Sequence, residues 1–298
     1  MVPYIRAEDV EHRLDWNRMV QALLDGHRLG RPQVSDQFVT RGADTLLSRA
    51  AWIDGFGIAV KSVTVMPENP ARDLPSVHGA MLLFEDKTGT VQAVIDSALV
   101  TKWKTAADSV LGAKLLARPD ARRLLIVGAG SVAQSLIEAY SAVFPDIKIT
   151  VWNRTRTKAE RLGVPVAQDL ESAVRRADII SCATMVTDPI IRGKWLQPGQ
   201  HLDLIGAFKA DMREADDLAL QQARIFVDSR DTTIGHIGEL MIPIANGAIR
   251  ESDVLGDLYD LAAGTTGRQD NSDITLFKNG GGAHLDLMTG REILAAFS

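Results

Sequence analysis

Apolar positions follow two different periods along this chain. Asp15 is placed to cap a helix over Trp16 to about Arg28. Residues 33 to 96 carry short β-like runs, separated by turn signals at Asp54-Gly55, Pro67-Glu68-Asn69-Pro70 and Asp86-Lys87-Thr88-Gly89, which predicts antiparallel strands. From Ser97 to Ala117 the pattern turns helical, with Leu99, Trp103, Ala106 and Val110 at spacings of three and four, and Arg118-Pro119-Asp120 stops it. Beyond Arg122 strands and helices alternate. Residues 124–128, 149–152, 178–183, 201–206 and 224–228 read as apolar strands, and 131–143 and 169–177 as helices. Continuous apolar strands separated by helices predict a parallel sheet covered on both faces. After Gly280-Gly281-Gly282 a last helix over 283–297 carries Leu285, Met288, Ile293 and Leu294 on its apolar positions.

Length and composition narrow the class. A chain of 298 residues predicts two compact units or one α/β unit with a satellite. Hydrophobic residues at 46% and charged residues at 24% exclude large-scale disorder. Charge, Gly or Pro breaks every apolar run before the roughly 20 residues a bilayer needs. The start, MVPYIRAEDVEHR, is too charged for a signal peptide, so a cytoplasmic protein with no membrane partner is expected. The single cysteine, Cys182, excludes a disulfide framework and multi-cysteine metal sites, and no metal is expected. A net charge of −5 without a basic stripe argues against a nucleic-acid partner.

The chemistry-bearing motif is Val127-Gly128-Ala129-Gly130-Ser131-Val132-Ala133, a G-x-G-x-x-A fingerprint between an apolar strand and an amphipathic helix. Gly128 permits the tight turn, Gly130 lets backbone approach a pyrophosphate, and Ala133 allows close helix packing. Ser131, Val132 and the helix start add N–H groups and a positive dipole end. The bland reading is a structural glycine turn, but the strand before, the helix after and a second strand about 20 residues on favour a dinucleotide. At the end of that second strand, where NAD sites place an acid, stands Trp152-Asn153-Arg154-Thr155-Arg156. A guanidinium can fork onto a 2′-phosphate that a carboxylate would repel, so NADP(H) is expected over NAD(H), with Asn153, Arg154 and Thr155 at the phosphate. Cys182 ends a strand as a small core residue, and Thr184 beyond it is a candidate for the cofactor crevice.

The chain resembles the ornithine cyclodeaminase and mu-crystallin family over nearly its whole length. The matching stretches are Ala59-Val60-Lys61 with Pro67-Glu68-Asn69, Thr101-Lys102-Trp103-Lys104-Thr105-Ala106-Ala107, the fingerprint, Trp152-Asn153-Arg154-Thr155 and Ile205-Gly206-Ala207. Arg213-Glu214, Val227-Asp228-Ser229 and Thr275-Leu276-Phe277-Lys278 follow, and the pattern is closer to the mu-crystallin side. The resemblance implies a Rossmann-type, doubly wound domain over 113–282. It also implies a smaller discontinuous α+β domain, 1–112 with 283–298, that binds substrate and pairs two copies as a homodimer. Members act on α-amino or α-imino acids. A cluster of cations grips the substrate carboxylate, and an acid after a late strand assists proton transfer.

Three positions depart from that pattern. Lys61 matches the family lysine, but the next cation is Lys104 where the family has arginine, which keeps charge and loses the bidentate fork. The arginine of a P-x-R segment falls at Val34, and Phe208 stands where the cyclodeaminase acid would. Bland readings compete: Lys61 as a strand-end lysine reaching to water, and Lys104 as an i,i+4 partner of Asp108. His236-x-x-Glu239 shares the i,i+3 spacing of metal ligands but lacks a third ligand in register, which favours a polar pocket wall. The resemblance places His236 near the nicotinamide, and His78 is a weaker candidate near the substrate.

Cyclodeamination moves protons in both directions and benefits from an acid–base group that Phe208 cannot supply, whereas reducing a preformed ketimine asks mainly for alignment and a carboxylate grip. The expected function is an NADPH-dependent reductase of a cyclic ketimine carboxylate of the Δ1-pyrroline-2-carboxylate or Δ1-piperideine-2-carboxylate type, with Lys61 and Lys104 as its catalytic pair. The rivals are an ornithine cyclodeaminase or amino-acid dehydrogenase, and a non-enzymatic NADP(H)-dependent ligand-binding protein.

Overall fold

A computed structural model describes all 298 residues. The chain divides into two compact units, Met1–Lys104 with Gly282–Ser298, and Thr105–Gly281. The first division falls inside the helix Ser97–Leu116.

The first unit is built on a six-stranded sheet. Its strands are β1 (Tyr4–Ile5), β2 (Gln33–Arg41), β3 (Asp44–Ile53), β4 (Gly57–Val65), β5 (Val77–Phe84) and β6 (Val91–Asp96), in the order β1-β6-β5-β4-β3-β2. β1 pairs parallel with β6 and every other pairing is antiparallel. The alternation along β4 is strict: Gly57, Ala59, Lys61 and Val63 are buried, and the residues between them are half-buried. One face is therefore covered: the helix Ala283–Phe297 lies on it, and the helix Trp16–His27 packs against that helix. Asp15 caps the helix Trp16–His27 by accepting from the Arg18 amide. Met19, Leu23, Leu285 and Ile293 are buried, as are Met81, Leu83 and Ile95 of the sheet.

The second unit carries seven strands, all paired parallel: β7 (Arg123–Val127), β8 (Lys148–Trp152), β9 (Ile179–Cys182), β10 (His201–Leu204), β11 (Ala223–Val227), β12 (Val254–Asp257) and β13 (Ile274–Lys278). Their order is β12-β11-β13-β10-β9-β7-β8. The chain leaves β7 for β8 on one side and returns to β9 on the other, which makes the switch point where doubly wound sheets bind ligands. Val127, Ile180, Leu204 and Phe226 are fully buried, as strands covered on both faces require.

The α/β architecture follows the sequence pattern closely. The predicted helices 131–143 and 283–297 have those bounds, and the strands agree within a residue or two. Two strands, β12 and β13, lie outside the predicted set. β12 reads VLGD, and β13 ends in a charged residue, Lys278, which is buried with its ammonium donating to the Leu204 and Asn279 carbonyls at 2.8 Å each. No helix is long and apolar enough to cross a membrane.

Asp178, one residue before β9, ties strand starts together. Its carboxylate accepts the Arg122 and Arg123 amides at 3.0 Å each and the guanidinium groups of Arg123 (2.8 Å) and Arg118 (3.2 Å). Burial opposes the charge, but these donors outweigh it and hold the carboxyl below its usual range. Asp178→Ala is expected to destabilise the protein by about 2 kcal/mol, read as a lower midpoint of urea unfolding. Because the folded value is depressed, this contribution is full above the unfolded carboxylate range and is lost as pH falls through the folded value. The stability gap between wild type and variant should close in acid.

Candidate active site

In the first unit, cross-strand register aligns four residues on the covered face. Asp36 of β2 pairs with Arg49 of β3, which pairs with Lys61 of β4, which pairs with Met81 of β5. Lys61 is thus a mid-strand residue that is 5% exposed, not a strand-end lysine reaching to water. Its ammonium lies 2.6 Å from Oδ1 of Asp286 on the last helix, and the Lys104 ammonium lies 2.8 Å from the same oxygen. Lys104 is equally buried and Asp286 is 1% exposed. Beside them the Arg49 guanidinium forks onto Asp36, with Nη2–Oδ2 at 2.5 Å and Nε–Oδ1 at 3.3 Å.

Electrostatics in this cluster follow from burial. Desolvation pushes the Lys61 ammonium down to about 7; Lys104 and Arg49 push the same way, and Asp286 only partly offsets them. For Asp286 burial acts upward, but the fields of Lys104, Lys61 and Arg49 win and set it at about 2. Lys61, Lys104 and Arg49 thus gather beside Asp286 and Asp36.

In the second unit, loops follow the carboxyl ends of β7, β8, β9 and β10. Gly128 has φ +117°, and a Cβ there would lie 2.6 Å from the Ala183 carbonyl oxygen, so only glycine fits. Gly130 is the extended N-cap of the helix Ser131–Val143, and a Cβ on it would meet nothing within 4 Å. That is open space beside a 13-residue helix start. Ala133 is fully buried, while Ser131 is exposed and Val132 half-buried. These residues fit a pyrophosphate on the helix N-terminus. After β8, the Asn153 side chain donates to the Thr155 carbonyl at 2.8 Å, shaping the turn. Arg154 and Thr155 are exposed there, and Arg156 is taken by Glu160 at 2.8 Å.

Glu214 is the residue of this crevice whose role sequence reasoning missed. Its Oε1 accepts both the amide and the hydroxyl of Thr184, each at 2.7 Å, and its Oε2 accepts the Gly206 amide at 2.6 Å. One carboxylate therefore fastens the loop after β9 to the loop after β10. Glu239 in turn accepts the amides of Glu214 and Ala215 at 2.7 and 3.0 Å, and burial with the neighbouring Glu214 charge raises it to about 7. Glu239 is thus a loop anchor, while His236 is exposed. Asp228 does the same for the glycine-rich segment, accepting the Ser229 and Gly280 amides at 2.7 and 2.9 Å.

Two other expected pocket residues, His78 and Phe208, are exposed. His78 pairs with Thr64, three positions from Lys61, and so projects from the opposite face of the sheet. The structure does not bring it to the lysine cluster. Phe208 is 56% exposed, with the Lys209 ammonium 5.5 Å from its ring centroid. The mid-strand Arg49 also went unnoticed; its only signal was a charged residue inside the strand Leu46-Leu47-Ser48-Arg49-Ala50-Ala51.

The model of the ornithine cyclodeaminase/mu-crystallin family matches residues 41–295. The chain belongs to this family. It is 55% identical over 291 residues to the Δ1-pyrroline-2-carboxylate reductase of Paracoccus denitrificans, covering 94% of this chain and 92% of that relative. Its fold superposes with a TM-score of 0.89 on Δ1-pyrroline-2-carboxylate reductase of Thermococcus litoralis, solved with NADH and L-proline, at 26% identity over 99% of this chain and 97% of that one. An archaeal alanine dehydrogenase dimer with bound NAD gives 0.92 at 26% identity, covering 99% and 95%.

The fingerprint turn can be tested directly. Gly128→Ala forces a Cβ against the Ala183 carbonyl at a positive φ, and should weaken NADPH binding by about a hundredfold. Fluorescence titration of NADPH checks this.

Proposed function

We infer that this protein is an NAD(P)H-dependent reductase of a small cyclic ketimine carboxylate, with Δ1-pyrroline-2-carboxylate as the first candidate and Δ1-piperideine-2-carboxylate as the second. The observation that carries this reading is the buried Lys61–Asp286–Lys104 cluster, with Arg49 beside it, whose gathered cations suit a carboxylate. The 55% identical relative named as a reductase of that imine supports it.

The chain's own groups divide the work. Lys61 and Lys104 hold the substrate carboxylate, and Asp286 keeps their two ammonium groups at one point while offsetting their repulsion. Gly128, Gly130 and the helix start hold the pyrophosphate, and Glu214 sets Thr184 and Gly206 in place at the sheet's carboxyl ends. A bound dihydronicotinamide would supply the hydride that the imine carbon needs. The iminium form brings its own proton on nitrogen, so the C=N bond becomes an amine with no further proton donor from the protein. That balance agrees with Phe208 standing where a cyclodeaminase would need an acid.

NADPH is the proposed cofactor because Arg154 is exposed at the end of β8 with no acid beside it in the turn 153–156. A homodimer is proposed through the uncovered sheet face, where Tyr4, Leu46, Trp52 and Leu82 are exposed. The binding-protein alternative took Phe208, Val34 and Lys104 as lost polar groups; a Lys104 engaged at 2.8 Å and a nearby Arg49 count against it at two of the three.

Purified protein should consume NADPH with Δ1-pyrroline-2-carboxylate and release no ammonia from ornithine. The kcat/KM for NADPH should exceed that for NADH by about tenfold or more, and Arg154→Ser should remove most of this margin. No turnover with either imine would overturn the assignment.

The pH dependence has a definite sign. Lys61 must be protonated to hold an anion, and in the free enzyme its pKa is about 7. Affinity for a carboxylate should therefore fall as pH rises above 7, and binding at pH 8 should take up protons. Calorimetry with pyrrole-2-carboxylate, whose ring does not titrate in this range, in buffers of different ionisation enthalpy separates this from titration of the imine.

A further inference from the structure

At the outer edge of the parallel sheet, β8 is joined to β9 through two short helices, Arg156–Glu160 with five residues and Leu170–Arg176 with seven. A seven-residue helix spans about 10 Å, whereas a five-residue strand spans about 16 Å. The pair β7–β8 is therefore incompletely covered, and a cavity of about 640 Å³ lies against it. That is the size of a small-molecule site.

Register decides what the cavity is made of. Strand alternation puts Arg123 and Leu125 of β7 on one face, and pairing sets Lys148 and Thr150 of β8 directly opposite them. All four line the cavity, together with Ala173 and Arg176 of the helix Leu170–Arg176. Leu125 and Ala173 are buried and Thr150 is half-buried, so the middle of the cavity is narrow-walled and mostly apolar.

Its mouth, at the amino ends of the strands, is cationic. Arg123 and Lys148 are direct cross-strand partners, and like charges set opposite one another destabilise a sheet. Arg176 brings a third cation from the last turn of the helix. Asp178 takes the Nε and Nη2 edge of Arg123, at 3.2 and 2.8 Å, which fixes that guanidinium and leaves its Nη1 without a hydrogen bond. Lys148 and Arg176 have no ion-pair partner within 4 Å. The one acid that lines the cavity, Asp169, is at the other end of the helix, where it caps the first turn by accepting the Ser172 amide at 2.8 Å. In a chain of net charge −5, this gathering of cations has a cost that a bound anion would offset. The mouth is also one strand length away from Gly128 and Asn153, which follow the carboxyl ends of the same two strands.

We propose that this cavity binds a phosphate monoester of a small ring compound, with the phosphate on Arg123, Lys148 and Arg176 and the ring between Leu125, Thr150 and Ala173. A phosphate suits the mouth better than a carboxylate because it carries up to two negative charges and three acceptor oxygens, for two unpaired cations and the open Nη1 of Arg123. The apolar middle favours an organic ester over inorganic phosphate. This assignment is independent of the reductase reading.

Calorimetry in phosphate-free buffer with excess NADPH, which keeps the dinucleotide crevice filled, compares phenyl phosphate, inorganic phosphate and phenol. Phenyl phosphate should bind with a Kd below about 1 mM and about tenfold or more tighter than inorganic phosphate, and phenol should give no measurable heat. Lys148→Ala and Arg176→Ala should each weaken phenyl phosphate by about tenfold, while NADPH affinity by fluorescence titration stays unchanged. Without ligand, the thermal midpoint of either variant should equal or exceed that of wild type, because each replacement removes a like-charge neighbour; phenyl phosphate should then raise the midpoint of wild type more than that of the variants. Three results would overturn the assignment: no saturable binding of phenyl phosphate, equal affinity for phenyl phosphate and inorganic phosphate, or an affinity that neither replacement alters.

Discussion

One buried carboxylate organises the first unit's chemistry. Two ammonium groups within 3 Å of the same Asp286 oxygen would repel each other strongly without it, and burial pushes the Lys61 ammonium down. Asp286 is held by the last helix, Lys61 by the middle of a sheet strand, and Lys104 by the helix that follows the sheet. Three segments far apart in sequence must therefore be in place before the cations converge, and the discontinuous unit exists to place them. The terminal helix supplies the counter-charge of the site while also sealing the sheet.

Carboxylates serve a different purpose in the second unit. Glu214, Glu239 and Asp228 accept backbone amides from loops that would otherwise present unpaired donors at the ends of parallel strands. A buried acid costs desolvation, visible in the upward shift of Glu239 to about 7. What that cost secures is geometry: Thr184 and Gly206 sit on two oxygens of one rigid group, and backbone meets backbone so closely that a Cβ at Gly206 would lie 1.8 Å from the Thr184 carbonyl oxygen. A loop pair held this way is preorganised.

Legibility in the sequence was uneven for a physical reason. Periodicity reports which face of an element is buried, so the helix 283–297, the strand before Gly128 and the antiparallel run of 33–96 could be read from it. It is silent where a buried position is polar. β13 was hidden because Lys278 is buried through carbonyl acceptors, and Arg49 because a charged residue in a strand ordinarily marks the solvent face. Sequence proximity is equally silent about faces: His78, on the strand next to that of Lys61, projects from the opposite face, because strand side chains alternate.

The family resemblance singled out Lys61 and Lys104; the residues by themselves determined the two kinds of sheet and the dinucleotide turn at Gly128 and Gly130. Those follow from local rules, since a tight turn demands glycine and an apolar run demands cover. The tertiary structure alone decided that Asp286 joins the two lysines, that Arg49 pairs across strands with Lys61, and that Glu214 binds two loops together. Charge pairing acts over a few ångströms of space, and register and topology, not spacing along the chain, set which charges come that close.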